Sequence, residues 1–255
     1  MNTDNIKILF TRSLERKKST MDLCIKKKLS PIFIPCIEYT SLNASNLLDV
    51  LENLEKFDAI IVTSQTAFDF FSIELEKHKI KWPINPSWIV LGEKSFQRVQ
   101  RSTSGKIVYE SSWKTSFDVA SYIEKSSQWK NKKILILRPL ESVSQFPTWL
   151  ENVTRNTTEL VLYQTSIHAE GRKEFLSKFP IHCDWIVFMS PSAVEAFFSF
   201  KKGDEISHWI FNRGILLASI GPTTSQKLRE FEVPVSLEAS SPSLETLLDE
   251  VKNFE

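Results

Sequence analysis

Glycine is scarce in this sequence, with six residues in 255, at positions 92, 105, 171, 203, 214 and 221. No GxGxxG or GxxxxGK(S/T) loop can be assembled from them, which excludes the dinucleotide and P-loop phosphate fingerprints. The four histidines (His78, His168, His182, His208) are scattered, without HExxH spacing, and the three cysteines (Cys24, Cys36, Cys183) form no CxxC pair. A metal centre therefore has no support in the sequence, and no GxSxG turn presents a nucleophilic serine. An enzyme made of these residues is expected to need neither metal nor nucleotide cofactor. An apolar run of about 18 residues is also missing, so no membrane-spanning helix is expected. The opening MNTDNIKILFTR interrupts its short apolar stretch with charges, unlike a secretory leader. Excess charge of one sign is absent too: 32 Lys and Arg stand against 31 Asp and Glu. That balance argues against a nucleic-acid platform. Separated cysteines in odd number fit a reducing compartment, and a cytosolic chain is expected.

What is present is an ordinary core-forming composition, 42% hydrophobic and 25% charged, at a length comfortable for two domains. Short apolar runs predict strands at residues 7–11, 32–37, 58–63, 88–91, 106–109, 134–138, 160–163, 185–189, 215–220 and 233–237. Most are separated by segments with apolar positions three and four apart, as in Ala67, Phe68, Phe71 and Leu75. Continuous runs such as AIIV (59–62) suit strands buried on both faces. The alternation predicts an α/β fold of parallel sheets covered by helices, divided into two five-stranded units.

The chain repeats itself. KILFTRSLE (7–15) matches KILILRPLE (133–141) at an offset of 133 − 7 = 126. FDAIIVTSQTAFDFF (57–71) matches CDWIVFMSPSAVEAF (183–197) at the same offset, and IVLGEKSFQRV (89–99) matches ASIGPTTSQKL (218–228) at 129. A period of half the chain marks one duplicated α/β unit.

Each matched block reads as strand, turn and helix, with a helix start rich in hydroxyls. Thr63, Ser64 and Thr66 fill it in one copy, and Ser190 and Ser192 in the other. Thr223, Thr224 and Ser225 follow Gly221, and Lys94 and Ser95 follow Gly92. Helix-start N–H groups bind anions, and ligands of open parallel sheets sit beyond the carboxyl ends of the strands. Several such starts would hold a ligand bearing several carboxylates or phosphates; the same hydroxyls also serve as plain helix caps. Arg12 and Arg138 occupy equivalent strand ends and suit carboxylate recognition, or else pair with acids such as Glu15 and Glu141. Lys94 is either a further ligand contact or solvated surface. Cys183 beside His182 is expected to pack, since neighbouring strand residues face opposite ways.

Taken in order, ILFTR with PIFIPCIEY, DAIIVTSQTAF, VLGEKS, ILILR with ELVLYQT, DWIVFMSPSAVEAFF, ASIGPTTSQKL and SPSLETLLDEV resemble the uroporphyrinogen-III synthase family over nearly the whole chain. Pro139 departs from the pattern, standing where the family usually has glycine. The resemblance implies two similar parallel-sheet α/β domains joined by two extended linker strands, with a cleft between them. Residues 1–35 and 166–255 would form a discontinuous domain, residues 41–159 a continuous one, and residues 36–40 and 160–165 the linkers.

The implied reaction is a cofactor-free cyclisation of hydroxymethylbilane, a linear tetrapyrrole with eight carboxylates. Loss of its hydroxyl gives an azafulvene, and a spiro-pyrrolenine intermediate inverts the last ring. The bilane also closes by itself to the uninverted isomer, so positioning is the main catalytic device. Tyr163 matches the linker tyrosine thought to assist hydroxyl departure, although such a tyrosine also packs. Arg12, Thr63, Ser64, Lys94, Arg138, Ser190, Ser192, Thr223 and Thr224 are the candidate substrate contacts. A monomer is expected, without nucleic-acid or membrane partner, and a hand-over from hydroxymethylbilane synthase is conceivable. A non-catalytic two-lobed binder of anions or sugars is the rival reading, and a phosphate-handling transferase a third.

Overall fold

The computed structural model describes residues 6–140, 156–202 and 204–254. Its strands are β1 (Lys7–Phe10), β2 (Ser30–Phe33), β3 (Ile37–Ser41), β4 (Ala59–Val62), β5 (Ser87–Val90), β6 (Ile107–Val108), β7 (Ile134–Pro139), β8 (Thr157–Ile167), β9 (Trp185–Phe188), β10 (Leu216–Ser219) and β11 (Leu237–Glu238). The helices are α1 (Lys17–Lys27), α2 (Leu47–Glu52), α3 (Gln65–Lys77), α4 (Glu93–Ser102), α5 (Ser116–Lys125), α6 (Ala169–Lys178), α7 (Pro191–Phe198), α8 (Glu205–Asn212), α9 (Pro222–Glu230) and α10 (Leu244–Lys252). Contacts gather the chain into two compact units, Met1–Tyr39 with Thr165–Glu255, and Thr40–Gln164.

One sheet has the order β11-β10-β9-β1-β2, and the other β3-β8-β7-β4-β5-β6. The first copy of the repeat carries β1, β2, β4, β5 and β6; the second carries β7 to β11. With that assignment both sheets share one order: second, first, third, fourth and fifth strand. Each sheet takes its first two strands from one copy and its last three from the other. Registers repeat as well. Ile8 lies opposite Trp185 and Ile134 opposite Ala59, and both members differ by 126 (134 − 8 and 185 − 59).

The apolar runs form central parallel strands because helices cover both sheet faces. Alternate residues of β1 and β9 point to opposite sides: Leu9, Ile186 and Phe188 join one core cluster, Ile8, Phe10, Trp185 and Val187 another. In the second unit Ala59, Ile61, Ile134 and Ile136 pack on α5 through Val119, Ala120 and Ile123.

Three expectations are corrected. The strand expected at residues 32–37 is two strands, because Ile34 and Cys36 donate their N–H groups to Phe10 and Thr11 carbonyls around Pro35, which has no N–H to give. The resulting β3 pairs with β8 in the opposite direction, with Leu42 N–H on the Leu162 carbonyl (2.9 Å) and His168 N–H on that of Cys36 (3.0 Å). This gives the second sheet six strands rather than five. Near the C-terminus, Pro234 delays the strand expected at 233–237, so that β11 begins only at Leu237.

All three cysteines are buried. Burial pushes the Cys24 thiol up to about 11 and the Cys183 thiol up to about 12, the latter with help from Asp184, and raises Cys36 well above its ordinary value. Cys183 therefore packs, with His182 exposed beside it. A thiol whose folded-state pKa is raised contributes stability that is full below the unfolded value near 9 and is lost as pH rises through the folded value. The expected result is a denaturation midpoint that falls from pH 8.5 to 11, and falls less in Cys183→Ala. Rapid labelling of the native protein by a thiol reagent at pH 8 would count against buried, unreactive thiols.

Candidate active site

Four strands deliver the chain into a helix after two-residue turns. Residues 63–64 join β4 to α3, 91–92 join β5 to α4, 189–190 join β9 to α7, and 220–221 join β10 to α9. The Ser64 hydroxyl accepts the Ala67 N–H at 3.1 Å, and the equivalent Ser190 hydroxyl accepts that of Ala193 at 3.2 Å. Each caps one donor and leaves the earlier N–H groups of its first turn without an intrahelical partner. Ser64→Ala and Ser190→Ala are each expected to cost about 1 kcal/mol in chemical denaturation. Ser192 lies 3.2 Å from Ser190, oxygen to oxygen. Gly92, with φ +83°, begins α4 in the left-handed region that favours glycine. Lys94 follows it, exposed in the first turn of α4, and Thr63 is half-buried. At the start of α9, Thr223 is exposed whereas Thr224 is buried. Ser225, also buried, meets Ser219 at 2.6 Å and ties α9 to its strand.

Within the first unit these positions share the carboxyl ends of three neighbouring strands. Arg12 follows β1, Ser190 and Ser192 follow β9, and Thr223 and Thr224 follow β10. The buried Thr11 hydroxyl bonds the Val187 carbonyl at 3.1 Å and fixes the junction of β1 with β9. That junction is where the strand order reverses, the usual ligand position of doubly wound sheets. In the second unit the matching junction lies between β7 and β4, with Arg138 on one side and Thr63 and Ser64 on the other.

The two arginines differ. Arg138 donates to Glu159 at 2.6 Å and to the Pro139 carbonyl at 3.3 Å. Its partner is thus a strand acid, while Glu141 lies outside the described residues. Arg12 donates to the Thr20 hydroxyl at 3.0 Å. Among the described residues neither Glu15 nor another carboxylate lies within ion-pair distance of it. Burial first and the Arg16 charge second, opposed by Tyr39, bring its pKa down to about 10; it remains a cation at neutral pH.

Tyr163, on β8, is 5% exposed, and its ring stacks on Phe70 of α3 with centroids 4.9 Å apart. The pairing of β7 with β8 is irregular between Arg138 and Pro139: Arg138 lies opposite Val161 and Pro139 opposite Tyr163. Leu140 N–H then donates to the Tyr163 carbonyl at 2.7 Å. The irregularity and the stack hold the phenol beside the helix that Ser64 begins. Among the described residues no three His, Cys, Asp or Glu side chains gather as a metal site requires.

A family model described as uroporphyrinogen-III synthase HemD matches residues 19–249. The chain belongs to the uroporphyrinogen-III synthase family. It is 22% identical over 250 residues to the uroporphyrinogen-III synthase of Saccharomyces cerevisiae, covering 91% of this chain and 90% of the yeast protein. A mutant uroporphyrinogen III synthase from the extremely thermophilic bacterium Thermus thermophilus matches with a TM-score of 0.67 and 15% identity over 97% of this chain and 98% of that one. The Helicobacter pylori uroporphyrinogen-III synthetase matches at 0.60 and 19% over 98% of this chain and 100% of that one. Such likenesses establish the two-domain α/β fold of the family in this chain.

Sequence reading passed over Glu159, Phe70, Thr11, Thr20 and Ser219. Glu159 alone left a signal, as a lone acid in the apolar run ELVLY (159–163).

Proposed function

We propose that this chain converts hydroxymethylbilane to uroporphyrinogen III, closing the ring with inversion of the last pyrrole and loss of water. The observation that carries this reading is the family match across residues 19–249, which also favours a synthase over a non-catalytic binder. The geometry supports it by supplying what a polycarboxylate needs. Helix-start N–H groups and the hydroxyls of Thr63, Ser64, Ser190, Ser192, Thr223 and Thr224 would donate hydrogen bonds to carboxylates, with Lys94 adding charge. Local donors of this kind serve an anionic ligand although the whole chain has a net charge of only +1.

Two routes compete for the bilane once its hydroxyl leaves. Uncatalysed closure gives the uninverted ring, so the protein must hold the chain in the conformation where the substituted carbon of the last ring attacks. Charged intermediates gain further from the fixed donors. Tyr163 supplies a phenol that donates a hydrogen bond to the departing oxygen. The protein would act as a cytoplasmic monomer and take its unstable substrate from the synthase that makes it. Fresh hydroxymethylbilane, with the type I and type III products resolved, tests the reading: type III in excess supports it, and type I alone overturns it.

A further inference from the structure

The duplicated strands make the two arginines directly comparable. Arg12 and Arg138 are 126 residues apart. Phe10 lies opposite Phe33 in β1 and β2, and Ile136 lies opposite Glu159 in β7 and β8; both members again differ by 126 (136 − 10 and 159 − 33). The position that carries the acid partner of Arg138 is therefore Phe33 in the other copy. An apolar ring stands where a carboxylate neutralises the second arginine.

The surroundings of Arg12 sharpen the contrast. Its guanidinium is half-buried, bonds Thr20, and has no carboxylate within ion-pair distance among the described residues. Arg16 adds like charge, and the Lys17 amine lies 6.0 Å from the centroid of the Phe33 ring. These cations surround the start of α1, whose first turn carries no acid, at the end where the helix dipole is already positive. A bound anion would meet there a partly buried guanidinium and a helix start together. A guanidinium at a strand end offers two parallel N–H groups to a carboxylate.

We infer that Arg12 is the side chain that anchors a substrate carboxylate, and that Arg138, neutralised by Glu159, instead orders the β7–β8 irregularity beside Tyr163. This rests on the synthase reading and deepens it: the two copies of one ancestral arginine have taken different tasks, and one substitution, Phe33 against Glu159, separates them. Anchoring in the first unit also bears on product identity, because a bilane held less firmly closes by itself to type I.

The test compares four variants by KM, kcat and the ratio of type III to type I product from fresh hydroxymethylbilane. Arg12→Gln is expected to raise KM about tenfold or more and to increase the type I fraction, the loss of one charge-assisted bidentate contact. Arg12→Lys, which keeps the charge without the fork, should fall between it and the unaltered protein. Phe33→Glu supplies an internal acid and should raise KM as Arg12→Gln does. Arg138→Gln should raise KM less than about threefold, with its larger effect on thermal stability. If Arg12→Gln melts below the assay temperature, Arg12→Lys decides. Unchanged KM in the surviving Arg12 variant, or an equal rise in Arg138→Gln, overturns the inference while type III formation by the unaltered chain leaves the synthase reading intact. Type I alone from the unaltered chain removes both.

Discussion

Replacing Gly171 by alanine is expected to destabilise the protein by about 3 kcal/mol or more, a large loss for one methyl group. A Cβ at Gly171 would overlap the Pro35 carbonyl oxygen and lie 2.9 Å from its carbonyl carbon. Both are backbone atoms, so no side-chain rotation relieves the clash. Pro35 is itself fixed from both sides, since Ile34 and Cys36 donate to β1 and its continuation, and the Cys36 carbonyl accepts the His168 N–H. On the other side Gly171 belongs to the first turn of α6, where its N–H donates to His168 Nδ1 at 2.9 Å. Any Cβ must push either the helix start or the connection between β2 and β3. Thermal denaturation should show a fall of roughly 10 °C. A melting temperature within about 2 °C of the unaltered protein would show that the contact yields without cost.

The second large effect is chemical. Tyr163→Phe is expected to lower turnover at least about tenfold, a floor set below the roughly 10²–10⁴-fold that a positioned general acid or base typically contributes. The substitution is unusually selective here. The ring that stacks on Phe70 at 4.9 Å is retained, as is the backbone bond from Leu140 to the Tyr163 carbonyl, so packing and strand pairing survive and only the hydroxyl is removed. Thermal stability should therefore fall by no more than the roughly 1 kcal/mol of one hydrogen bond while kcat falls. Tyr163→Leu makes the converse comparison: it removes both hydroxyl and stack and should lose about 1 kcal/mol of ring–ring interaction in addition to rate. Near-normal kinetics in Tyr163→Phe would assign this tyrosine to packing alone.

Much of this architecture is legible in the sequence, because its strongest signals are local or repeated. AIIV and WIVF read as buried strands and are β4 and β9, buried throughout. The repeat offset appears in the structure as a repeated register. What escaped the sequence depends on residues far apart along the chain. Pro35 meets Gly171 across 136 positions (171 − 35), and neither residue reveals this alone. The sixth strand of the second sheet arises because a proline divides one apolar run and sends β3 to β8. Candidate site residues were legible by type and position, through hydroxyls after strands and arginines at equivalent ends. Their electrostatic states were not, since the Glu159 that neutralises Arg138 and the Phe33 at the equivalent place beside β1 are visible only once strand register is known.

The measurement closest to the central claim is the isomer composition formed from freshly generated hydroxymethylbilane as a function of protein concentration. Without protein the bilane closes to type I. With increasing amounts of this chain, the type III fraction should rise until it dominates, at a rate that exceeds spontaneous closure, and Tyr163→Phe should need proportionally more protein to reach the same fraction. A product that stays type I at every concentration of folded protein would contradict the assignment of ring inversion to this chain.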